Sequence, residues 1–196
     1  TGASMKVLYT IDNMQERFAA LDNFREKSGY KLGKKVAWFS GKELLSNRDL
    51  AANRFHKDDY FNKIRFFSTF HITKRNFNHY WRALCDFKPE FIVGFPSSVY
   101  ALSEIALRSG ETYPGEVKAY FPTAETVTFE HRESIKSVFG CDILNQYSAS
   151  EGAPFIFECF DGGLHINLLT GVFEVVNTQV DSVDEGELLL TSFTTE

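Results

Sequence analysis

A group of residues suited to phosphate and metal chemistry follows one apolar run of this chain. Tyr147, Ser148, Ser150 and Glu151 follow shortly after the run at 141–144, which predicts a buried strand. In an open α/β sheet, ligands bind at the carboxyl ends of the strands. Small residues let a ligand approach the backbone, and a carboxylate there can bind a magnesium ion. The segment predicts a turn that binds a ligand. The alternatives are that Glu151 is only an exposed turn residue and that Tyr147 is only a ring of the core.

Two further turns of this kind follow predicted strands earlier in the chain. The first contains Gly94 and Pro96, and the second contains Ala124 and Glu125. Because parallel strands end at one edge of a sheet, the three turns can line one pocket. Helix caps also need small polar residues, which is the alternative for each turn taken alone. Glu125 and Glu151 occupy matching positions in their two turns, and this agreement favours a ligand site.

Cys159 and His165 flank a predicted turn at 161–163, and their side chains can approach each other across a hairpin. Glu158 and Cys141 are the nearby candidates for a shared zinc ion. A structural zinc site takes four protein ligands, and the pattern supplies two convincing ones. A buried cysteine and an edge-strand histidine form the alternative interpretation.

The elements that must position these residues alternate between strand and helix over three quarters of the chain. This alternation predicts an α/β fold, with a mostly parallel sheet and flanking helices. The last quarter predicts an antiparallel β meander, and the polar stretch at 42–63 predicts a surface excursion with some helix. We expect an α/β nucleotide-binding part at 1–152 and a β-rich part of the same domain at 153–196. The predicted strands lie at 5–10, 35–40, 64–72, 91–95, 117–121, 141–144, 155–157, 164–166, 172–176 and 187–190. The predicted helices lie at 12–27, 99–108 and 129–138, and a further helix is expected to start from a cap at Thr73 and to end before Pro89.

Composition excludes several classes of function. The 196 residues carry a net charge of −5, and the basic residues are scattered, so no nucleic-acid face is expected. No apolar run approaches the roughly 18–20 residues that span a bilayer. The 3 cysteines are widely spaced and odd in number, which favours the cytoplasm over an oxidising compartment. Because the chain starts on turn-type residues and stops within a strand, we expect an internal fragment of a longer chain.

The segment Tyr147-Ser148-Ala149-Ser150-Glu151 resembles the Tyr-Gly-x-Ser/Thr-Glu motif of the AMP-forming adenylation enzymes. The order of the surrounding segments is similar to the phenylacetate–coenzyme A ligase-like branch, which includes the CapK proteins of capsular polysaccharide biosynthesis. The resemblance runs along essentially the whole chain. Its other segments lie at 35–41, 87–98, 123–126, 132, 139–141 and 186–188.

The resemblance implies a nucleotide site with ATP or AMP and magnesium. Ala124 and Glu125 would lie beside adenine, and Tyr147 would stack on its ring. Ser150 would approach the phosphate, and Glu151 would hold magnesium between phosphate oxygens. Adenylation joins a carboxylate oxygen to the α-phosphate, so catalysis consists mainly of positioning and charge neutralisation.

The resemblance also implies an acyl pocket and marks one departure from the family. His71, Gly94 and Pro96 would contact the carboxylic acid, although a histidine hydrogen-bonded to a nearby carbonyl is an equal interpretation. Ser148, counted with the nucleotide-binding residues, stands where the family usually has glycine. A side chain there narrows the approach of the backbone to the nucleotide. The family's phosphate loop, ribose-binding aspartate and mobile-domain lysine would lie outside these residues.

The resulting hypothesis is a fragment of an ATP-dependent ligase that activates a carboxylic acid and passes it to coenzyme A or another acceptor. By itself, the fragment is expected to be inactive. A catalytically inactive nucleotide-binding or scaffold domain of the same fold is the main alternative. A third hypothesis is acyl transfer to a protein or sugar in a surface-polysaccharide pathway. The oligomeric state is not readable from the sequence.

Overall fold

The computed structural model describes residues 6–149, 152–176 and 186–193. The chain forms two compact units, one made of residues 25–145 and one made of residues 1–24 together with 146–196. We call them the sheet unit and the hairpin unit. The predicted division of one domain at residue 152 stays a prediction.

The described residues contain five helices and eleven strands. The helices are α1 (Ile11–Glu26), α2 (Asn47–Ala51), α3 (Phe77–Phe87), α4 (Pro96–Arg108) and α5 (Phe129–Phe139). The strands are β1 (Val36–Ser40), β2 (His56–Asp59), β3 (Ile64–Ser68), β4 (Phe91–Gly94), β5 (Ala119–Pro122), β6 (Asp142–Ile143), β7 (Gln146–Tyr147), β8 (Ile156–Glu158), β9 (Leu164–Ile166), β10 (Gly171–Val176) and β11 (Glu187–Ser192).

The sheet unit is built on a six-stranded sheet in the order β2-β3-β1-β4-β5-β6. All its strand pairs are parallel except β2 with β3, which confirms the predicted α/β class. The central strands β4 and β5 are buried along their whole length, because helices cover a parallel sheet on both faces. Their ends therefore lie together at one edge of the sheet.

Aromatic rings fill much of the core of the sheet unit. Phe39 stacks on Phe67 with ring centroids 5.2 Å apart, and Phe55 stacks on Tyr80 at the same distance. The Tyr80 hydroxyl donates to the carbonyl of Ser68 at 2.7 Å. The abundance of phenylalanine therefore serves core packing here, since such rings contribute large buried apolar areas.

Helix α5 begins at the residue expected from the sequence and ends one residue later than expected. Thr128 is its N-cap and forms a capping box with His131, so two backbone N–H groups at the helix start are satisfied. Gly140 ends the helix in the left-handed conformation at φ 66°.

Three local predictions are wrong. Residues 6–10 form no strand. The helix expected from Thr73 begins at Phe77, because the hydroxyl and carbonyl of Thr73 accept from the amide of Asn76 and form a turn before the helix. The stretch at 42–63 contains helix, as expected, in α2, but it also contains the unexpected strand β2. There Asp58 pairs with Arg65 of β3, a charge-assisted contact between strands that apolar periodicity does not reveal.

The hairpin unit contains α1 up to Phe24 and two antiparallel sheets. One sheet has the order β7-β8-β9 and the other pairs β10 with β11. The predicted antiparallel strands are confirmed, but they form two sheets rather than one meander. Phe24 of α1 stacks on Phe157, and Phe157 stacks on Phe155, with centroid distances of 4.4 and 5.2 Å. These three rings form the core that joins α1 to the hairpins.

Among the residues that the structure describes, no helix has the length and apolar character needed to cross a bilayer.

Candidate functional site

The turns after β4 and β5 lie side by side in the sheet unit. The carbonyl oxygen of Gly94 accepts hydrogen bonds from the hydroxyl of Tyr120 and the amide of Thr123, both at 2.9 Å. The carboxylate of Glu125 accepts from the amide and the hydroxyl of Ser97, also at 2.9 Å. The structure therefore brings together the residues that the sequence placed on two separate turns.

Gly94 is required by its surroundings. Its φ is +139°, a conformation that side chains rarely adopt. A Cβ atom at this position would lie 2.8 Å from the Cβ of Phe39 and closer still to the Phe39 carbonyl oxygen. The close approach of β1 and β4 thus leaves no room for a side chain at the end of β4.

Glu125 stabilises the start of α4. The N-cap residue Phe95 has no side-chain acceptor, and Pro96 lies at the first turn. The carboxylate of Glu125 supplies the missing acceptor from the neighbouring turn, at the end of the helix where negative charge is favoured. Ala124, beside it, is exposed and has a left-handed φ of 65°, which is strained for a residue other than glycine.

His71 follows the end of β3, two strands away from β4 in the same sheet. Its Nδ1 lies 3.1 Å from the hydroxyl oxygen of Ser68, and its ring stacks on Phe55 at 5.8 Å. The partners of the ring are therefore a side-chain hydroxyl and a phenyl ring, and the carbonyl partner of the alternative interpretation is not among them. Its role toward a substrate stays a prediction.

Tyr147 and Ser148 lie in the hairpin unit. Tyr147 pairs with Ile156 of β8 and its side chain is exposed by 50%, so the ring presents a surface on which a planar base can stack. The hydroxyl of Ser148 donates to the carbonyl of Ala153 at 3.1 Å. The predicted metal ligand Glu151 and its neighbour Ser150 lie outside the described residues.

Arg17 of α1, which no motif of the sequence singled out, also contacts this turn. Its Nη2 donates to the Ser148 hydroxyl at 2.9 Å and to the Ala149 carbonyl at 3.3 Å, and its Nη1 donates to the Ala153 carbonyl at 3.1 Å. The guanidinium carbon lies 4.6 Å from the ring centroid of Phe155. Burial lowers the pKa of Arg17, although an arginine remains charged in proteins. The available signal was its position seven residues before Phe24, which puts both on one helix face.

The pair proposed for zinc lies in the β8–β9 hairpin. A Cβ atom on Gly163 would be 3.5 Å from the Cys159 sulfur and 3.4 Å from the His165 Nε2, so the two side chains lie on the same side of the turn. Within residues 6–149, 152–176 and 186–193, no group of three or more His, Cys, Asp or Glu side chains is arranged to hold a metal. Burial raises the pKa of Cys141 to about 12, which disfavours the thiolate that zinc binds.

Comparison with known proteins adds a relative and a set of structural neighbours. Protein CapK of Staphylococcus aureus is 32% identical over 174 residues, which cover 89% of this chain and 38% of CapK. No family model matches the chain. This chain thus spans well under half of the curated relative that it matches.

Solved structures of acyl-CoA ligases have the same fold. A 2-hydroxyisobutyryl-CoA ligase in complex with 2-HIB-AMP and CoA superposes with a TM-score of 0.68 at 16% identity, over 98% of this chain and 42% of the ligase. A malonyl-CoA ligase with methylmalonyl-CoA and AMP bound superposes with a TM-score of 0.61 at 12% identity, over 100% of this chain and 42% of that ligase. At these identities the likeness concerns the fold alone.

Proposed function

We infer, from the premise that this chain is a relative of the AMP-forming adenylation enzymes of the CapK branch, that the protein is an acyl-adenylate-forming ligase. It would activate a carboxylic acid with ATP and pass the acyl group to coenzyme A or another acceptor. The observation that supports this most strongly is the pairing of the turns after β4 and β5 at the carboxyl edge of a parallel sheet, where ligands bind in such folds.

The proposed nucleotide contacts are those that the family resemblance implies, and the exposure of the residues is compatible with them. In the hairpin unit, the half-exposed ring of Tyr147 would offer a stacking surface to adenine. In the sheet unit, the exposed Ala124 and Glu125 are the residues that the family resemblance implies for adenine binding. Ser148 would contribute its backbone, because its hydroxyl is already hydrogen-bonded within the turn. The reaction joins an oxygen of the acid to the α-phosphorus and breaks the bond to pyrophosphate.

Magnesium would be held by Glu151, with Ser150 beside the phosphate. The ion, when bound, would neutralise charge on the phosphate oxygens and on the departing pyrophosphate. The acid would lie near Gly94, Pro96 and His71. The cytoplasm is the proposed compartment, in keeping with the three cysteines being free.

Exchange of pyrophosphate into ATP tests the proposal on the full-length protein. A panel of carboxylic acids is screened first, and Glu151→Ala is then compared with Glu174→Ala, which removes an exposed carboxylate from β10 of the same unit. We expect exchange with at least one acid, a loss of about 100-fold or more in Glu151→Ala, and no change in Glu174→Ala. If the Glu151→Ala variant keeps the pyrophosphate exchange of the wild type, Glu151 is not part of the site.

A catalytically inactive nucleotide-binding or scaffold protein is the alternative, favoured by the presence of Ser148 where the family usually has glycine. A titration of the protein with AMP, monitored by calorimetry, distinguishes the two functions. Binding of AMP without exchange for any acid would establish the alternative, and exchange would exclude it.

A further inference from the structure

We propose that the amino-terminal edge of the six-stranded sheet binds the surface of an anionic lipid bilayer. This edge lies where the parallel strands of the sheet unit begin, opposite to the turns after β4 and β5. The proposal does not rest on the proposed function, because no residue of the candidate site takes part in it. It stands on a row of lysines and on three exposed apolar side chains in two neighbouring turns.

The row of lysines follows from the alignment of the strands. Strands β3, β1, β4 and β5 begin in one register across the sheet. The residues just before them form a further row along its edge, in the order Lys63, Lys35, Glu90 and Lys118. The Glu90 amide donates to the Lys35 carbonyl and the Lys118 amide donates to the Glu90 carbonyl, both at 2.8 Å. The row is therefore a hydrogen-bonded part of the sheet, and its residues keep the strand spacing of about 4.8 Å.

Positive charge is concentrated at this edge. We call the segments 31–35, 60–63, 88–90 and 116–118 the basic edge; they contain six lysines and two glutamates, a net charge of +4 in a chain of net charge −5. The carboxylate of Glu90 lies 3.1 Å from the Nζ of Lys34 and 3.5 Å from that of Lys118. An anionic surface is therefore attracted by the basic edge and repelled by the rest of the chain, which orients the protein on it. The other lysines of the basic edge, all exposed, are Lys31, Lys35, Lys63 and Lys88.

Three apolar side chains protrude from the turns that lead into β1 and β3. Leu32 is 81% exposed, Tyr60 is 86% exposed and Phe61 is 93% exposed. Because β1 and β3 are neighbours in the sheet, the two turns lie side by side at the same edge. Exposed apolar side chains grouped in this way mark an interaction surface.

Hydrogen bonds close both turns. In the turn before β1, the amide of Lys34 donates to the Lys31 carbonyl at 3.1 Å. In the turn before β3, the carboxylate of Asp59 accepts from the amide and the side-chain nitrogen of Asn62 at 3.0 and 2.7 Å. The exposed side chains therefore stand on ordered turns, so little conformational entropy is lost when they enter a partner surface.

These features fit a bilayer surface better than a protein partner. Side chains with such exposures protrude from the molecule, and protruding aromatic and leucine side chains can enter the boundary between headgroups and acyl chains. The surrounding lysines would contact anionic headgroups at the same time. An acidic protein segment would neutralise the lysines but leave the protruding apolar side chains in water. On a bilayer, the turns after β4 and β5 would face away from the lipid, because they lie at the opposite edge of the sheet.

Sedimentation with lipid vesicles tests the proposal on the full-length protein. Vesicles of equal parts phosphatidylglycerol and phosphatidylcholine are compared with vesicles of phosphatidylcholine alone. We expect the protein to bind the anionic vesicles about tenfold more tightly or better, since each lysine near an anionic surface strengthens binding. Added salt is expected to weaken this binding, because it screens exposed charges. Equal affinity for the two kinds of vesicle, or no binding to either, would overturn the proposal.

Matched variants of the full-length protein locate the surface that binds lipid. We expect Phe61→Ser to weaken binding to the anionic vesicles about tenfold, through the loss of buried apolar area, and Lys63→Gln to weaken it about fivefold. The controls are Phe129→Ser and Lys136→Gln, which remove an exposed phenylalanine and an exposed lysine from α5. Both controls are expected to bind like the wild type. If Phe61→Ser and Lys63→Gln bind no more weakly than these controls, another surface binds the lipid and the proposal is wrong.

Poly-L-glutamate distinguishes an acidic protein partner from a bilayer. The affinity of the full-length protein for this polymer is measured beside the vesicle experiment, with the same variants. Vesicle binding that depends on Phe61 as well as on Lys63 would support the bilayer. Binding of the polymer that is weakened in Lys63→Gln, together with no binding to anionic vesicles, would assign the basic edge to an acidic protein segment and refute the lipid proposal.

Discussion

Removal of the Glu125 carboxylate is expected to weaken the start of α4. The carboxylate accepts from both the amide and the hydroxyl of Ser97 at 2.9 Å, and it supplies the acceptor that the N-cap residue Phe95 lacks. Loss of a side-chain cap costs about 0.5–2 kcal/mol, and the charge at the helix N-terminus adds about 0.3–1 kcal/mol. Because Glu125 is exposed, solvent screening reduces both contributions. We expect Glu125→Ala to lower the free energy of unfolding by about 1–2 kcal/mol.

A second substitution shows how much of this free energy of unfolding comes from each of the two hydrogen bonds. Ser97→Ala removes the hydroxyl and leaves the amide, so it should cost about 1 kcal/mol or less. In the Ser97→Ala background, Glu125→Ala should still be destabilising, because the carboxylate then caps the helix through the Ser97 amide alone. The difference between the two backgrounds measures the coupling with the hydroxyl.

The measurement is the urea unfolding of the full-length protein, monitored by circular dichroism. Glu116→Ala is the matched control, since Glu116 is an exposed glutamate in the loop before β5. If Glu125→Ala unfolds at the same urea concentration as Glu116→Ala, the helix-cap explanation of the Glu125 contacts is wrong. AMP titration of the same variants then shows whether Glu125 also contributes to nucleotide binding beyond its effect on α4.

Three further predictions concern individual residues. Gly94→Ala is expected to destabilise the sheet unit by about 2–5 kcal/mol, because a Cβ would overlap Phe39 and φ would be strained; thermal unfolding within 1 °C of the wild type would contradict this. At pH 8 and without denaturant, iodoacetamide is expected to modify the half-exposed Cys159 and to leave Cys141, whose pKa burial raises to about 12, unmodified; protection of Cys159 by added zinc, lost in His165→Ala, would support the proposed zinc pair. The hydrogen bond from Lys57 and those from Ser46 and Arg54 lower the pKa of Asp49, so its contribution to stability is present above about pH 4, the ordinary range of an aspartate, and is lost as the pH falls below it. The urea midpoint should therefore fall less steeply with acid in Asp49→Asn than in the wild type, and equal slopes would refute this account.

The sequence predicted those parts of the site that depend on the order of strands. Apolar runs placed β1, β4 and β5, and their alternation with helices predicted a parallel sheet whose turns share an edge. Gly94, Pro96, Ala124 and Glu125 could be proposed together on that basis. The capping box at Thr128 is local in the same way, since its two partners lie three residues apart.

What the sequence determined by itself is local: the strands, most of the helices and their caps, because periodicity and capping act over a few residues. The tertiary structure alone decided the contacts between segments that are distant along the chain. Glu125 caps a helix that begins 29 residues earlier, as its contact with Ser97 at a separation of 28 residues shows, and Arg17 reaches Ser148 over 131 residues. The packing of the elements determines such partners. The residues that neighbour a side chain in the sequence therefore do not indicate where the acceptors of its hydrogen bonds lie.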